Sequence, residues 1–183
     1  MRRAALPLAV TTALALTAAA CFGGPSGNKA VPQPAKPVAL GRYLGVWYEI
    51  ARYDQSFEVG CEAVTAEYSK RPDGLIGVKN TCREGSPDGA ERVSEGKAKV
   101  VEGSDGAKLK VSFFGPFFFG NYWVLDRAED YSWAIVGEGS GKFLWLLSRK
   151  AVLTEAERDA LIGRAEAMGY DVKRLKIVRQ PAA

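Results

Sequence analysis

The strongest constraint on the fold is a period-two alternation of polar and apolar residues, which recurs in short runs along the chain. In KLKVSFF at 108–114, lysine and serine side chains alternate with leucine, valine and phenylalanine. Such alternation is typical of an antiparallel strand with one buried face. Sequences rich in Gly, Pro and Asp separate the runs, and RPDG at 71–74 is typical of a hairpin turn.

These runs predict an all-β fold of eight antiparallel strands, arranged as an up-and-down meander that closes into a barrel. A C-terminal α-helix should follow, because TEAE at 154–157 is a capping box with Thr154 as N-cap. One face of this helix is apolar, and Gly169 ends it. A short final strand at 175–178 is predicted to pair with a sheet edge. The predicted strands are 46–53, 63–69, 76–82, 92–101, 108–114, 121–125, 133–136 and 143–148.

The N-terminal region has the features of an export signal of the lipoprotein type over residues 1–20. Two arginines precede a short apolar segment, and LTAAAC at 16–21 places small residues before Cys21. Lipidation of Cys21 after cleavage is the first interpretation, and ordinary cleavage after an A-x-A pattern is the second. The Pro- and Gly-rich segment that follows predicts a tether over residues 21–39, with the folded domain at 40–180.

Charge and composition exclude several classes of function. The formal net charge is +4, and loss of Arg2 and Arg3 with the signal leaves +2, with no basic stripe that would bind nucleic acid. The chain contains no histidine, which removes the commonest general base and the commonest transition-metal ligand. We therefore predict neither an enzyme nor a metal site, and no cofactor.

Cys61 and Cys82 remain as a pair once Cys21 is assigned to lipid. In an oxidising compartment, two remaining cysteines favour a disulfide between them, and two free buried thiols are the alternative.

Several motifs occur at characteristic places in the predicted barrel. The first is G-x-W as Gly45-Val46-Trp47, and the second is LWLLSR at 144–149, which ends in Arg149. With KVSFFGPF at 110–117 and the helix after the eighth strand, they resemble the lipocalin family, in its branch of bacterial outer-membrane lipoproteins and apolipoprotein D. LDRAEDY at 125–131 departs from the family's T-D-Y signature, since only Asp126 and Tyr131 are recognisable.

The resemblance implies a barrel with a closed base and an open mouth. Gly45, Trp47 and Arg149 would form the base, with the guanidinium over the indole ring as a cation–π contact. Cys61 and Cys82 would both lie at the open end, although simple alternation puts Cys61 out of phase with its strand. A bulge or a loop start at Cys61 is therefore needed for a bridge.

With Trp47 facing inward, alternation predicts a ligand-binding interior that is mainly apolar and aromatic. For the sixth strand, either Tyr122 with Val124 or Trp123 with Leu125 faces inward, and the first pair is preferred. The predicted ligand-binding residues are Glu49, Ala51, Tyr53, Asn80, Val111, Phe113, Tyr122, Val124 and Trp145.

The segment FFGPFFFG at 113–120 falls at the mouth and holds five phenylalanines. It is interpreted as a lid over an acyl chain, a membrane-docking loop, a dimer contact, or a loop packed on the barrel rim.

The resemblance implies a protein anchored in the outer membrane and facing the periplasm if the source is Gram-negative. It would bind, store or transport a fatty acid or lysophospholipid in envelope maintenance. Two alternatives stay open: a structural lipoprotein with a filled barrel, and an isomerase that uses Glu49. The expected partners are an acyl lipid and the membrane, with a homodimer as an open alternative and no nucleic acid.

Overall fold

A computed structural model describes residues 27–181 and shows eight antiparallel strands closed into a barrel, which confirms the predicted all-β fold. Predicted and observed strand ends differ by at most two residues. The strands are β1 (Gly45–Tyr53), β2 (Cys61–Lys70), β3 (Ile76–Glu84), β4 (Glu91–Val100), β5 (Lys108–Ser112), β6 (Gly120–Arg127), β7 (Trp133–Gly137) and β8 (Leu144–Ser148).

Connections alternate between two ends of the barrel, because each strand runs opposite to the one before it. One end, called the closed end here, carries the short helix α1 (Leu40–Tyr43) and the connections 71–75, 101–107 and 128–132. The other end, called the mouth, carries the connections 54–60, 85–90, 113–119 and 138–143.

Closure of the barrel depends on the C-terminal chain as well as on neighbouring strands. Near the closed end β1 pairs with β2, but near the mouth the same strand pairs with β9 (Leu175–Ile177). The side-chain Nε2 of Gln180 then donates hydrogen bonds to the backbone oxygens of Glu49 and Val64 at 2.8 and 3.0 Å. The C-terminal chain therefore fills the gap between β1 and β2, and the predicted final strand at an edge is confirmed.

A β-bulge between Glu49 and Ala51 corrects part of the predicted interior. The extra residue reverses the alternation, so Ala51 and Tyr53 pack in a cluster outside the barrel instead of facing inward. The same shift turns Arg52 inward, where its side chain is completely buried.

Helix α2 (Glu155–Ala167) follows β8 and packs on the outer wall. The predicted capping box is confirmed: Thr154 Oγ1 accepts from the Glu157 amide at 3.2 Å, and Glu157 Oε2 accepts from the Thr154 amide at 2.8 Å. Leu161 and Ala165 are buried in the cluster that also contains Ala51 and Tyr53. Within residues 27–181, no helix combines the length and apolar character that a bilayer crossing requires.

Residues 28–39 form a strap that runs along the outside of the barrel from the mouth to the closed end. The amide of Asn28 donates to Gly141 O at 2.9 Å beside the mouth, and that of Val38 donates to Asp105 O at 2.8 Å at the closed end. Val38 is buried in the interior cluster. The predicted tether over 21–39 is thus wrong for the strap, because its apolar side chains and amides find partners on the barrel.

The two recognisable residues of LDRAEDY hold this strap. Asp126 Oδ1 lies 3.3 Å from Lys36 Nζ, and the Tyr131 hydroxyl accepts a hydrogen bond from the Ala39 amide at 2.8 Å. The guanidinium carbons of Arg42 and Arg127 lie 4.4 and 4.3 Å from the centre of the Tyr131 ring. The segment therefore joins the strap and the closed end to β6.

Candidate functional site

Arg149 closes the base of the barrel over Trp47, as predicted. Its guanidinium carbon lies 3.8 Å from the centre of the fully buried indole ring. Its Nη2 donates to the backbone oxygens around α1 at 2.9–3.0 Å, and Trp47 Nε1 donates to Tyr43 O at 2.8 Å. Gly45 has a φ of 92°, and a Cβ there would lie 3.5 Å from Arg149 Nη1. The base is a packed structural unit in which Arg149 and Trp47 both donate hydrogen bonds to backbone oxygens around α1.

Three tyrosine hydroxyls form a floor above Trp47. Tyr122 OH lies 2.7 Å from Tyr43 OH and accepts from Tyr68 OH at 2.9 Å. Burial raises the pKa of all three phenols, so they stay neutral and hydrogen-bonded to one another. The floor separates a packed lower half of the barrel from the half next to the mouth.

The upper half of the barrel is open to solvent. From Glu91 to Glu95, β4 is exposed on both faces, although one face of the strand points into the barrel. Across this opening, inward side chains of the other strands are only half-buried: Ala66, Asn80, Val111, Tyr122 and Trp145. Side chains fill the interior of a solid eight-stranded barrel, so this exposure marks an accessible cavity.

One wall of the cavity carries a buried charged cluster. Arg52 Nη1 donates to Glu49 Oε1 at 2.8 Å, and Arg52 Nε lies 3.8 Å from Glu58 Oε2. Arg52 Nη2 also donates to Asp54 and to the Glu58 carbonyl. Trp145 Nε1 donates to Glu58 Oε2 at 3.1 Å, which fixes the indole against the cluster.

The cluster contains more buried carboxyl groups than cations. Burial first, and then the nearby Glu58 carboxylate, raises the pKa of Glu49 despite its contact with Arg52. Burial likewise raises the pKa of Glu58, which receives the Trp145 hydrogen bond. Glu49 is the less exposed of the two, with 4% of its side chain accessible against 15% for Glu58. Burial disfavours the charged form, so Glu49 is the carboxyl group of this pair that holds a proton more readily.

Near the mouth, a disulfide joins Cys61 to Cys82, as predicted, with a Cα–Cα distance of 5.3 Å. The required bulge lies in β2 between Glu62 and Thr65, where Ala63 has a φ of 47°. Arg92 pairs with Cys82 across the sheet, and its Nη2 lies 2.8 Å from Cys61 Sγ.

Aromatic side chains line the way from the cavity to the mouth. The Trp145 ring stacks on Phe143, and Phe143 stacks on Phe57, with centre-to-centre distances of 5.6 and 6.1 Å. On the opposite side, Phe113 leans over the inner face of Gly96, where a Cβ would lie 2.8 Å from its ring. Phe114, Phe117 and Phe119 project into solvent, so the interpretation of FFGPFFFG as a loop packed on the rim fits only Phe118, which is half-buried.

Comparison with known proteins decides the family. A family model described as a lipocalin-like domain matches residues 38–180. The chain belongs to the lipocalin family. The outer membrane lipoprotein Blc of Vibrio cholerae is 46% identical to it over 160 residues, 85% of this chain and 92% of that protein. Apolipoprotein D of Mus musculus is 33% identical over 159 residues, 80% of this chain and 82% of that protein.

A solved structure agrees with this assignment of the lipocalin fold. Insecticyanin from the tobacco hornworm Manduca sexta superimposes with a TM-score of 0.67 at 20% identity, covering 85% of this chain and 88% of that one. The bacterial relatives are named outer membrane lipoproteins, which confirms the predicted outer-membrane localisation of this lipocalin.

Most of the predicted site residues of this lipocalin meet around one cavity. Glu49, Asn80, Val111, Tyr122 and Trp145 surround the open upper half. Val124 lies deeper in the packed interior, and Phe113 stands at the rim. The preferred phase of β6 is confirmed, because Tyr122 and Val124 face inward while Trp123 and Leu125 pack under α2. Cys21 lies outside the described residues.

Sequence reasoning missed Arg52, Glu58 and Arg92. Strict alternation from Trp47 places Arg52 on the outer face, and nothing in VWYEIARY marks the bulge. Glu58 comes from a mouth connection, for which alternation predicts no direction. The sequence signal for Arg52 is Glu49 itself, because a buried carboxylate is normally paired with a nearby cation.

A second concave surface of this lipocalin is separate from the barrel interior. A groove of about 530 Å³ lies on the outer wall beside Tyr48, Thr65 and Thr81, whose neighbours in sequence face inward. It is open along its length and partly bounded by the C-terminal tail. Within residues 27–181, no group of three or more His, Cys, Asp or Glu side chains is arranged to hold a metal ion.

Proposed function

We propose that this lipocalin holds one acyl lipid, a fatty acid or a lysophospholipid, in the upper half of its barrel. A lipid on Cys21 would anchor it in the outer membrane, where it would serve envelope maintenance. The observation that carries the proposal is the solvent-exposed inner face of β4 together with the half-buried apolar and aromatic side chains opposite it.

The lining favours an acyl chain with its polar end toward the mouth. Val111, Tyr122 and Trp145 offer apolar surface above the phenol floor. Each buried methylene contributes about 0.8 kcal/mol, and association and chain ordering offset part of that gain. A ligand carboxylate or phosphate deep in the cavity would meet the buried carboxyls of Glu49 and Glu58, whereas near the rim it would meet Arg92.

The same geometry favours binding over catalysis. An isomerase would need a carboxylate that is free to take a proton from the substrate, but Glu49 Oε1 is bound to Arg52 and the residue is 3% exposed. We therefore propose a role without turnover, in which the charged cluster shapes the wall. The exposed inner face of β4 likewise argues against a structural lipoprotein with a filled barrel.

Displacement of a fluorescent fatty acid from the purified mature protein tests the proposal. Val111→Trp places a large ring in the cavity, and we expect affinity to fall at least about tenfold as the acyl chain loses the space of several methylenes. Lys110→Trp puts the same ring on the opposite face of β5 and should leave affinity within about twofold. Trp145 emission should respond to acyl lipid in both the wild type and Lys110→Trp.

Two results would overturn the proposal. The first is a lack of saturable binding for any acyl lipid, which would support the filled-barrel alternative. The second is equal loss of affinity in both tryptophan variants, which would place the ligand outside the cavity.

A further inference from the structure

The exposed phenylalanines of this lipocalin gather at the mouth. Phe114, Phe119 and Phe117 are 86%, 81% and 60% exposed, and all three belong to the connection between β5 and β6. Phe57 and Val59, in the connection between β1 and β2, are 55% and 65% exposed. An apolar cluster of this kind on a protein surface marks a site that contacts something apolar.

A basic surface lies directly below the aromatic tip. Lys97 and Lys99 point outward from β4, and their Nζ atoms lie 5.7 and 4.8 Å from the centre of the Phe118 ring. Lys99 stands directly opposite Lys110 on β5, and like charges in that position repel each other. A nearby anionic surface would relieve this repulsion, so the lysines complement negatively charged headgroups.

The start of the described chain also lies at the mouth. Asn28 N donates to Gly141 O, and a Cβ on Gly27 would lie 2.5 Å from Ser140 O, both in the connection between β7 and β8. Cys21 precedes Gly27 by six residues, which span at most about 20 Å when extended. An acyl group on Cys21 would therefore keep the mouth close to the bilayer, with the closed end pointing away from it.

We propose that the mouth docks on the membrane surface, with Phe114, Phe117 and Phe119 inserted among the lipids and the basic surface against anionic headgroups. The inference that the anchor directs the mouth rests on the proposed lipidation of Cys21, but the docking surface itself does not. Docking places the cavity opening at the bilayer, so an acyl ligand can move between membrane and barrel without crossing bulk water.

The test uses the mature chain with Cys21→Ser, which carries no acyl group and so isolates the docking surface. We would measure its co-sedimentation with vesicles of phosphatidylethanolamine and phosphatidylglycerol, and with vesicles of phosphatidylcholine alone. Replacing Phe114, Phe117 and Phe119 together by serine should lower partitioning at least about tenfold. Lys97→Glu with Lys99→Glu should weaken binding to the anionic vesicles alone.

The matched control is Val46→Ser with Val152→Ser, which removes exposed apolar side chains remote from the mouth and should not change partitioning. The phenylalanine variant should keep the wild-type melting temperature, because its altered side chains are mainly in water. Equal partitioning of wild type and phenylalanine variant would overturn the proposal. So would a wild-type dimer that forms through these residues without binding to vesicles.

The vesicle test of docking does not depend on whether the barrel binds the proposed acyl lipid. Affinity for the fluorescent fatty acid, measured without vesicles, should be unchanged in the phenylalanine variant. A wild-type protein that partitions through its phenylalanines but binds no acyl lipid would overturn the proposed function and leave docking intact.

Discussion

At the scale of single residues, burial decides what the charged side chains do. Arg149 is at the base because its long side chain covers an indole ring while its donors meet the backbone oxygens that α1 leaves free. Arg52 is buried completely, and its five donors are shared among carboxylates and carbonyl oxygens. Glu49 is a buried acid that must share this cation with Glu58.

Glu49→Gln should change the dependence of stability on pH. The folded-state pKa of Glu49 is raised above its unfolded value, so its contribution to stability is fully present below about pH 4 and is lost as pH rises through the folded-state pKa. Glutamine keeps the shape of the protonated form and cannot ionise. Relative to this variant, the wild type should lose on the order of 4 kcal/mol of unfolding free energy between acidic and mildly alkaline pH.

Urea titrations at a series of pH values measure this effect, and Glu62→Gln on the outside of β2 serves as a control for a carboxylate outside the cavity cluster. A constant difference between the wild type and Glu49→Gln across the pH range would contradict the raised pKa.

At the scale of elements, alternation in sequence predicts well where the strands are. It predicts which side chains of a strand point into the barrel only as far as the first bulge. The phases of β3, β5, β6 and β8 agree with the structure over the residues that line the cavity. In β6 the bulge comes only after Val124, beyond the cavity-facing Tyr122. In β1 and β2, the bulges lie where the C-terminal chain bonds to the backbone of both strands. No local pattern of residues marks those positions.

Removal of the disulfide tests how much the β2–β3 pair depends on it. Cys61 and Cys82 are separated by 21 residues, so the chain-entropy model gives about 3 kcal/mol of stabilisation. We expect the double variant Cys61→Ala with Cys82→Ala to lose about that much unfolding free energy in urea, while it keeps the strand content of the wild type.

A reducing agent should destabilise the wild type and leave the double variant unchanged, which is the internal control. A loss of less than about 1 kcal/mol would show that the hairpin and the Val64–Val178 contacts around the disulfide already restrain this end of the barrel.

At the scale of the whole molecule, the chain ends complete the barrel. The strap covers the outer wall from the mouth to the closed end, and residues 175–180 close the gap between β1 and β2. The strap also fixes where the described chain begins, which is beside the mouth.

A chain that begins at Leu40, the domain boundary expected from sequence, should be less stable than one that begins at Gly27. Deletion of 27–39 removes buried Val38, the ion pair of Lys36 with Asp126, and the hydrogen bond between the Ala39 amide and Tyr131. We expect a loss of about 2 kcal/mol or more, mainly from the exposed apolar surface.

Thermal and urea unfolding of the two chains measure the difference, with the chain from residue 21 as the control that should match the one from Gly27. Equal stability of all three would show that the strap rests on the barrel without contributing to its fold.

The sequence by itself determined the eight strands, the capped helix, the base of Trp47 and Arg149, and the pairing of two cysteines. Each depends on alternation, on a local motif or on a count of residues, which are readable along the chain. Only the tertiary structure decided that Arg52 faces the cavity, that Glu58 reaches it from a connection, and that the strap begins at the mouth. These features depend on bulges and on contacts between residues far apart in sequence, and the free energy of such contacts exists only once the barrel has closed.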